Sequence, residues 1–299
     1  MKKPKANLQK LFYLSSFSVL LTMMTLIFSA PFLRAISRSY SAVVYWLLGL
    51  FVVAALGLLK AYPLQIFVGA LWISVGIQLT FESKGYRWWV SGIWGLIIGS
   101  GVGFLGTYLI LNSYDLTNYT SLVDLVDGFI IENQLGPMVG KVSANNLLPI
   151  LPGLFVVMIE LALGFGLIFE KSVFRWFDLP RERYVSQSNL IESRLPDSLI
   201  WLSLLTVLIT FVDFKVENLN SLGMNLLSVI SVLYFFQGIA ILECFLKAFR
   251  IGFVGKSLIY FLLVGQLLPL VSLIGFIDYW LDFRRKIRVA VMNRKKSEP

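Results

Sequence analysis

Trp88-Trp-Val-Ser-Gly-Ile-Trp-Gly-Leu-Ile-Ile-Gly-Ser-Gly-Val-Gly-Phe-Leu-Gly-Thr-Tyr-Leu-Ile-Leu-Asn-Ser-Tyr114 carries no charge along its whole length. A helix rising about 1.5 Å per residue needs about 20 apolar residues to cross roughly 30 Å of hydrocarbon, and this stretch exceeds that. Seven more apolar runs flank it, uncharged but for Glu160: Leu11–Leu33, Ser39–Leu59, Ala61–Phe81, Leu147–Phe169, Ser198–Val212, Leu222–Leu242 and Ser257–Ile277. Ser198–Val212 alone falls short of a crossing, and it is expected to borrow from Pro196 and Phe214. The pattern predicts an all-α, polytopic integral membrane helical bundle of about eight hydrophobic segments, some of them broken or re-entrant. We read residues 1–299 as a single membrane domain. Segments one to four occupy 11–112, an extracytoplasmic amphipathic insertion 113–146, segments five to eight 147–281 and a basic cytoplasmic tail 282–299.

Composition agrees and excludes several chemistries. Mean hydropathy is +0.78, and only 14% of residues are charged, against about a quarter in soluble domains. The formal charge of +9 therefore belongs to loops and tails, where it sets orientation and meets anionic lipid. With no soluble domain to dock on it, nucleic acid is not an expected partner; the lipid bilayer is. The chain has no histidine, which removes Ser-His-Asp and Cys-His catalysis and nearly all zinc hydrolase sites. Cys244 is the only cysteine, so no intrachain disulfide forms. An aspartyl protease of the membrane needs Gly-x-Gly-Asp, and Asp278 follows Gly275-Phe-Ile instead. We expect no catalytic residues, no metal and no cofactor, and hence no enzyme. Lys2, Lys3, Lys5 and Lys10 precede the first run in the manner of a signal peptide. The run exceeds a typical signal core, and Phe28-Ser-Ala-Pro31 is a poor cleavage context, so the segment is expected to be retained.

Orientation poses a conflict. If each run crosses once, one side collects 14 Lys and Arg and the other 12, which is no bias where the positive-inside rule demands one. Without the two tails, the internal loops divide 12 against 3, with 34–38, 82–87, 170–197 and 247–256 inside. Both tails also belong inside by charge. Pro31 ends the first run and Pro269 breaks the last, and such breaks are tolerated where the backbone is buried in protein. One or both terminal runs are therefore expected to form broken or re-entrant hairpins; the alternative leaves both tails outside, against their charge.

The same count puts 113–146 outside. Ser121, Asp124, Gly128 and Glu132 recur at helical spacing, while Leu122, Val126, Phe129 and Ile130 fill the other side, as in an amphipathic helix. It serves either as an interfacial helix or as a lid over a cavity.

Gly95, Gly99 and Gly103 are spaced by four and lie along one face, which lets another helix approach closely. A phosphate-binding reading of Gly101, Gly103 and Gly106 needs a preceding strand that is not there. Glu160 lies in the middle of Leu154-Phe-Val-Val-Met-Ile-Glu-Leu-Ala-Leu-Gly164, where an ionised group costs at least about 2.5–3.5 kcal/mol. It should face a partner, a wet cavity or a ligand. Gln78, Asn225, Gln237 and Gln266 are its candidate neighbours, either as cavity lining or as structural hydrogen-bond partners. Glu243 and Lys247 are spaced for a helical ion pair. In the closing stretch, Asp282 is spaced to pair with Arg285 and Lys286, and Tyr279 and Trp280 suit the headgroup belt.

Three stretches taken together carry a resemblance. They are Arg194-Leu-Pro-Asp-Ser-Leu-Ile-Trp201, Tyr234-Phe-Phe-Gln237-Gly238 and Gly275-Phe-Ile-Asp278-Tyr-Trp-Leu-Asp282-Phe-Arg284. Over 147–286 the chain resembles the YybS-like family of bacterial inner-membrane proteins, a domain of unknown function. That family is in turn distantly similar to the substrate-binding S components of ECF-type transporters, which capture a ligand at their outer face and work with a coupling subunit and paired ATPases. The resemblance implies a multi-pass protein of the bacterial inner membrane. On this reading the chain is a small-ligand-binding transporter component, with Glu160, Gln237, Asn225 and Gln78 as ligand residues and an ATPase or coupling subunit as partner. The rival reading is a non-catalytic envelope scaffold or assembly factor whose partners are envelope proteins.

Overall fold

Pro31, Pro63, Pro152 and Pro269 each fall in the first turn of a helix, where the missing N–H costs nothing and the fixed φ suits the turn. These four positions fix where much of the fold begins. The computed structural model describes residues 8–132, 143–179, 194–212, 214–216, 218–249 and 267–287, with single positions between 251 and 262 and at 289, and only the backbone at 129–132. Among them the chain is helical and no strand occurs: α1 Leu8–Thr25, α2 Ala30–Ser39, α3 Ala42–Leu58, α4 Tyr62–Ser83, α5 Trp88–Ser113, α6 Tyr119–Glu132, α7 Ala144–Leu147, α8 Leu151–Trp176, α9 Ser198–Phe211, α10 Leu219–Ala248 and α11 Leu268–Leu281. Two compact units result, Met1–Tyr184 and Val185–Pro299.

Among the described residues, α4, α5, α8 and α10 are long and apolar enough to cross a membrane. The apolar helices α3, α9 and α11 are shorter, at 17, 14 and 14 residues. Thus α9 keeps to its own run and takes nothing from Pro196 or Phe214.

In the first unit, the run Leu11–Leu33 is not one helix. It breaks between Thr25 and Ala30, where Leu26 adopts φ 58°, a left-handed conformation that a leucine rarely holds. The chain folds back there. The Phe17 ring of α1 stacks on Phe32 of α2 at 6.1 Å, and both meet Phe177. Lys10 Nζ, near the start of α1, donates to the Asp178 carbonyl at 2.9 Å. The α1–α2 hairpin therefore enters and leaves at the end of the unit where α8 stops. This is the broken first run that the charge count asks for, and it puts Lys10 at the same end as Arg34, Arg38, Lys84, Arg87, Lys171 and Arg175.

From there α3, α4 and α5 alternate in direction. Trp72 of α4 donates to the Tyr45 carbonyl of α3 at 3.1 Å, and the Tyr45 hydroxyl donates to the Trp72 carbonyl at 2.6 Å. Gly95, Gly99 and Gly103 of α5 lie against α4, so that a Cβ at Gly95 would stand 2.6 Å from the Ser74 carbonyl and one at Gly99 would overlap the Ser74 hydroxyl. The close approach of two backbones needs residues without side chains there. Within 113–146, Tyr119–Glu132 forms α6, whose Asp127 accepts from Ala144 N of α7 at 3.0 Å. Lys141 and the side chains of Phe129, Ile130 and Glu132 lie outside the described residues.

In the second unit, α9 and α10 are antiparallel, with Ser203 donating to the Tyr234 hydroxyl at 3.3 Å and Gly223 set against Thr210. Helix α11 crosses α10 where Gly238 and Gly275 meet; a Cβ on either would overlap a carbonyl of the other helix. Asp282, just past α11, pairs with Arg194, just ahead of α9. Hence α11 runs antiparallel to α9 and parallel to α10. Arg194, Lys247, Arg284, Arg285 and Lys286 all stand at one end of this unit. Pro269 falls in the first turn of α11, and Leu267 just ahead of that helix is not helical. Gln266 and Asp213 lie outside the described residues.

Candidate functional site

Arg34 and Arg38 follow each other by one helical turn on α2, so both point to one side. That side meets the last turn of α4 and the lower half of α8. Arg34 Nη2 donates to Glu82 Oε2 at 2.8 Å and to Glu170 Oε2 at 3.3 Å, while its Nε also reaches Glu170 Oε2 at 3.3 Å. Arg38 Nη2 donates to Glu82 Oε2 at 2.7 Å, and its Nε pairs with Glu170 Oε1. The Arg34 side chain is fully enclosed, and both carboxylates are buried. Two cations and two anions make the cluster neutral, which is how four charges become tolerable away from water. Gly166 of α8 gives room for the Arg34 stem, since a Cβ there would stand 3.1 Å from Arg34 Cδ.

In the sequence Arg34 and Arg38 figure only among the loop cations, and Glu82 and Glu170 have no assigned role. The available signal was Arg34 and Arg38 at i,i+4 just after Pro31, with a glutamate ending each of two apolar runs. Which cation met which anion was not in it, because the partners are 48 and 136 residues apart.

Glu160 sits higher on the same helix α8. It is 5% exposed, and among the described residues neither carboxylate oxygen has a hydrogen-bond partner. Gln78 on α4 is fully buried with both amide atoms also unpartnered, in the α4–α5 seam beside Gly92 and Gly95. These two predicted residues lie in the first unit.

Gln237 and Asn225 lie on α10 in the second unit. Gln237 is occupied: its Nε2 donates to the Gly275 carbonyl at 2.9 Å and its Oε1 accepts from Leu195 N at 3.2 Å. This amide joins the three stretches that carried the family resemblance. Around it, Gly238 seats Gly275 and Arg194 holds Asp282. Asp282 takes φ 44° and turns the chain back. Arg284 Nη2 and Nε thereby reach Asp278 Oδ2 at 2.9 and 3.2 Å, and Phe283 N donates to Oδ1 at 2.9 Å. The side-chain partner of Asp282 is thus Arg194, not Arg285 or Lys286 as helical spacing suggested; Arg285 reaches it through its backbone N–H, at 3.4 Å. The turn at Asp282 ends the helix that the spacing assumed. Glu243 and Lys247 pair at 3.3 Å.

Among the described residues, no group of three His, Cys, Asp or Glu is placed to hold a metal ion. No curated protein and no solved structure matches the chain. A family model described as "Predicted membrane protein (DUF2232)" matches residues 10–279. That span takes in both the Arg–Glu cluster and the Gln237 junction, and the chain belongs to the DUF2232 family of predicted membrane proteins.

Proposed function

We propose that this chain is a non-enzymatic, transporter-related component of the bacterial inner membrane that binds a small ligand from its outer side. One observation carries the reading: Glu160, inside a 26-residue apolar helix, is buried with both oxygens unpartnered among the described residues. Carboxylates kept for architecture are paired, as Glu82, Glu170 and Asp278 are here. An ionisable group left unpaired at membrane depth is a candidate for function. The α1–α2 hairpin supports the reading, because transporters commonly place ligand and ion sites where helices are interrupted. Under it, α6 serves as lid and the basic loops dock a cytoplasmic partner. The sequence has no GxxxxGK[ST] stretch, so energy from ATP is supplied by another chain.

The test is capture of the tagged full-length protein from native membrane in mild detergent, read by mass spectrometry. Recovery of a paired ATPase with a coupling membrane protein is the expected result. Recovery of envelope-synthesis proteins without an ATPase would overturn it in favour of the scaffold.

A further inference from the structure

We propose that Glu160 carries an exchangeable proton and that the ligand of this site is a small monovalent cation, taken up as the proton leaves. The inference deepens the ligand-binding reading and rests on it. Its warrant is charge balance at a buried position in an apolar helix. An ionised carboxylate with no hydrogen bond and no counter-ion is too costly at this depth, so the resting group is the neutral acid.

The charged groups nearby do not alter that. On α8 itself, Glu170 lies ten residues on, about 15 Å along the axis, and is engaged by Arg34 and Arg38. Of the helices packed on α8, α2 brings only those two arginines. Helix α4 brings Glu82, itself bound to them, and Tyr62; α5 brings no charge and only Tyr108 as a titratable group. Lys171 and Arg175, later on α8, are exposed and lie about 16 Å or more from Glu160 along the axis, so among the described residues no cation on these elements lies against Glu160.

When the O–H bond breaks and the proton departs to water, the carboxylate gains one negative charge. A monovalent cation arriving in its place restores neutrality, so the apolar surroundings accept both states. An anion arriving would leave a net charge buried in either state, and a divalent ion would leave one positive charge. The single carboxylate thereby selects both sign and valence.

The experiment uses dicyclohexylcarbodiimide, an apolar reagent that adds a protonated carboxyl across its C=N bond and leaves a stable acylurea. It is applied to the full-length protein in native membrane vesicles, and adducts are mapped by mass spectrometry. The expected result is an adduct on Glu160 that is absent from E160Q. The adduct should decline as pH rises, and it should be suppressed several-fold by sodium, potassium or a primary ammonium ion tested singly. Absence of the adduct, with other carboxyls modified, overturns the proposal. So does equal modification by a water-soluble carbodiimide, which would mean an open, hydrated carboxylate. An adduct that no cation suppresses overturns the cation. The two readings fail separately: a proton-holding, cation-sensitive Glu160 with only envelope proteins captured would sink the transporter component and leave this site standing.

Discussion

Arg34 in the first unit and Arg284 in the second are both sealed from solvent, yet their partners come from different distances. Arg284 finds Asp278 six residues away, across the left-handed turn at Asp282. Arg34 finds Glu82 and Glu170 at separations of 48 and 136 residues, and only if α2, α4 and α8 are already assembled. The second unit buries charge by local geometry and uses Gln237 to tie its pieces together. The first buries charge by tertiary assembly and, higher on α8, leaves one carboxylate unpaired among the described residues. A buried polar group that a fold could have paired and did not is the kind that function retains.

The contrast can be broken by substitution. The largest effect is expected of Arg34→Ala, which leaves Glu82 and Glu170 facing each other with Arg38 as sole counter-charge. Breaking a buried ion pair costs about 3–5 kcal/mol, so the thermal midpoint of the purified protein in detergent should fall by many degrees. An unchanged midpoint would mean that the four charges are hydrated and hold nothing together. Asp278→Asn should cost less, about 3 kcal/mol, the low end of that range. The amide oxygen can still accept from Phe283 N, and only the charge opposite Arg284 is lost. A loss equal to that of Arg34→Ala in the same melt would erase the distinction between local and assembled pairing. Glu160→Gln should be the smallest, within about 0.5 kcal/mol, because no partner is removed. A large loss there would reveal Glu160 as a packing residue and count against its functional reading.

Legibility in the sequence followed the same division. Helix ends were readable to within a few residues for α3, α4, α5 and α9, since charge and proline mark them. The ion pair of Glu243 with Lys247 was readable from spacing alone. The break in the first run was legible only as a contradiction in the count of basic residues. Pro31 pointed to it, but the reversal falls at Leu26, a residue whose identity gives no hint of φ 58°. Asp282 misled for a related reason. Helical spacing to Arg285 and Lys286 presumes that the helix continues, and it stops one residue earlier.

The sequence by itself determined that this chain is an all-helical membrane protein whose apolar segments are separated by charged loops. Charge and apolar length act on each segment separately, and a segment's cost in lipid does not depend on its neighbours. Only the tertiary structure decided that α1 and α2 double back, that Arg34 and Arg38 are sealed between Glu82 and Glu170, and that Glu160 is left unpaired. Those outcomes depend on which helix faces which, and the pairing of buried groups is settled by the assembled bundle alone.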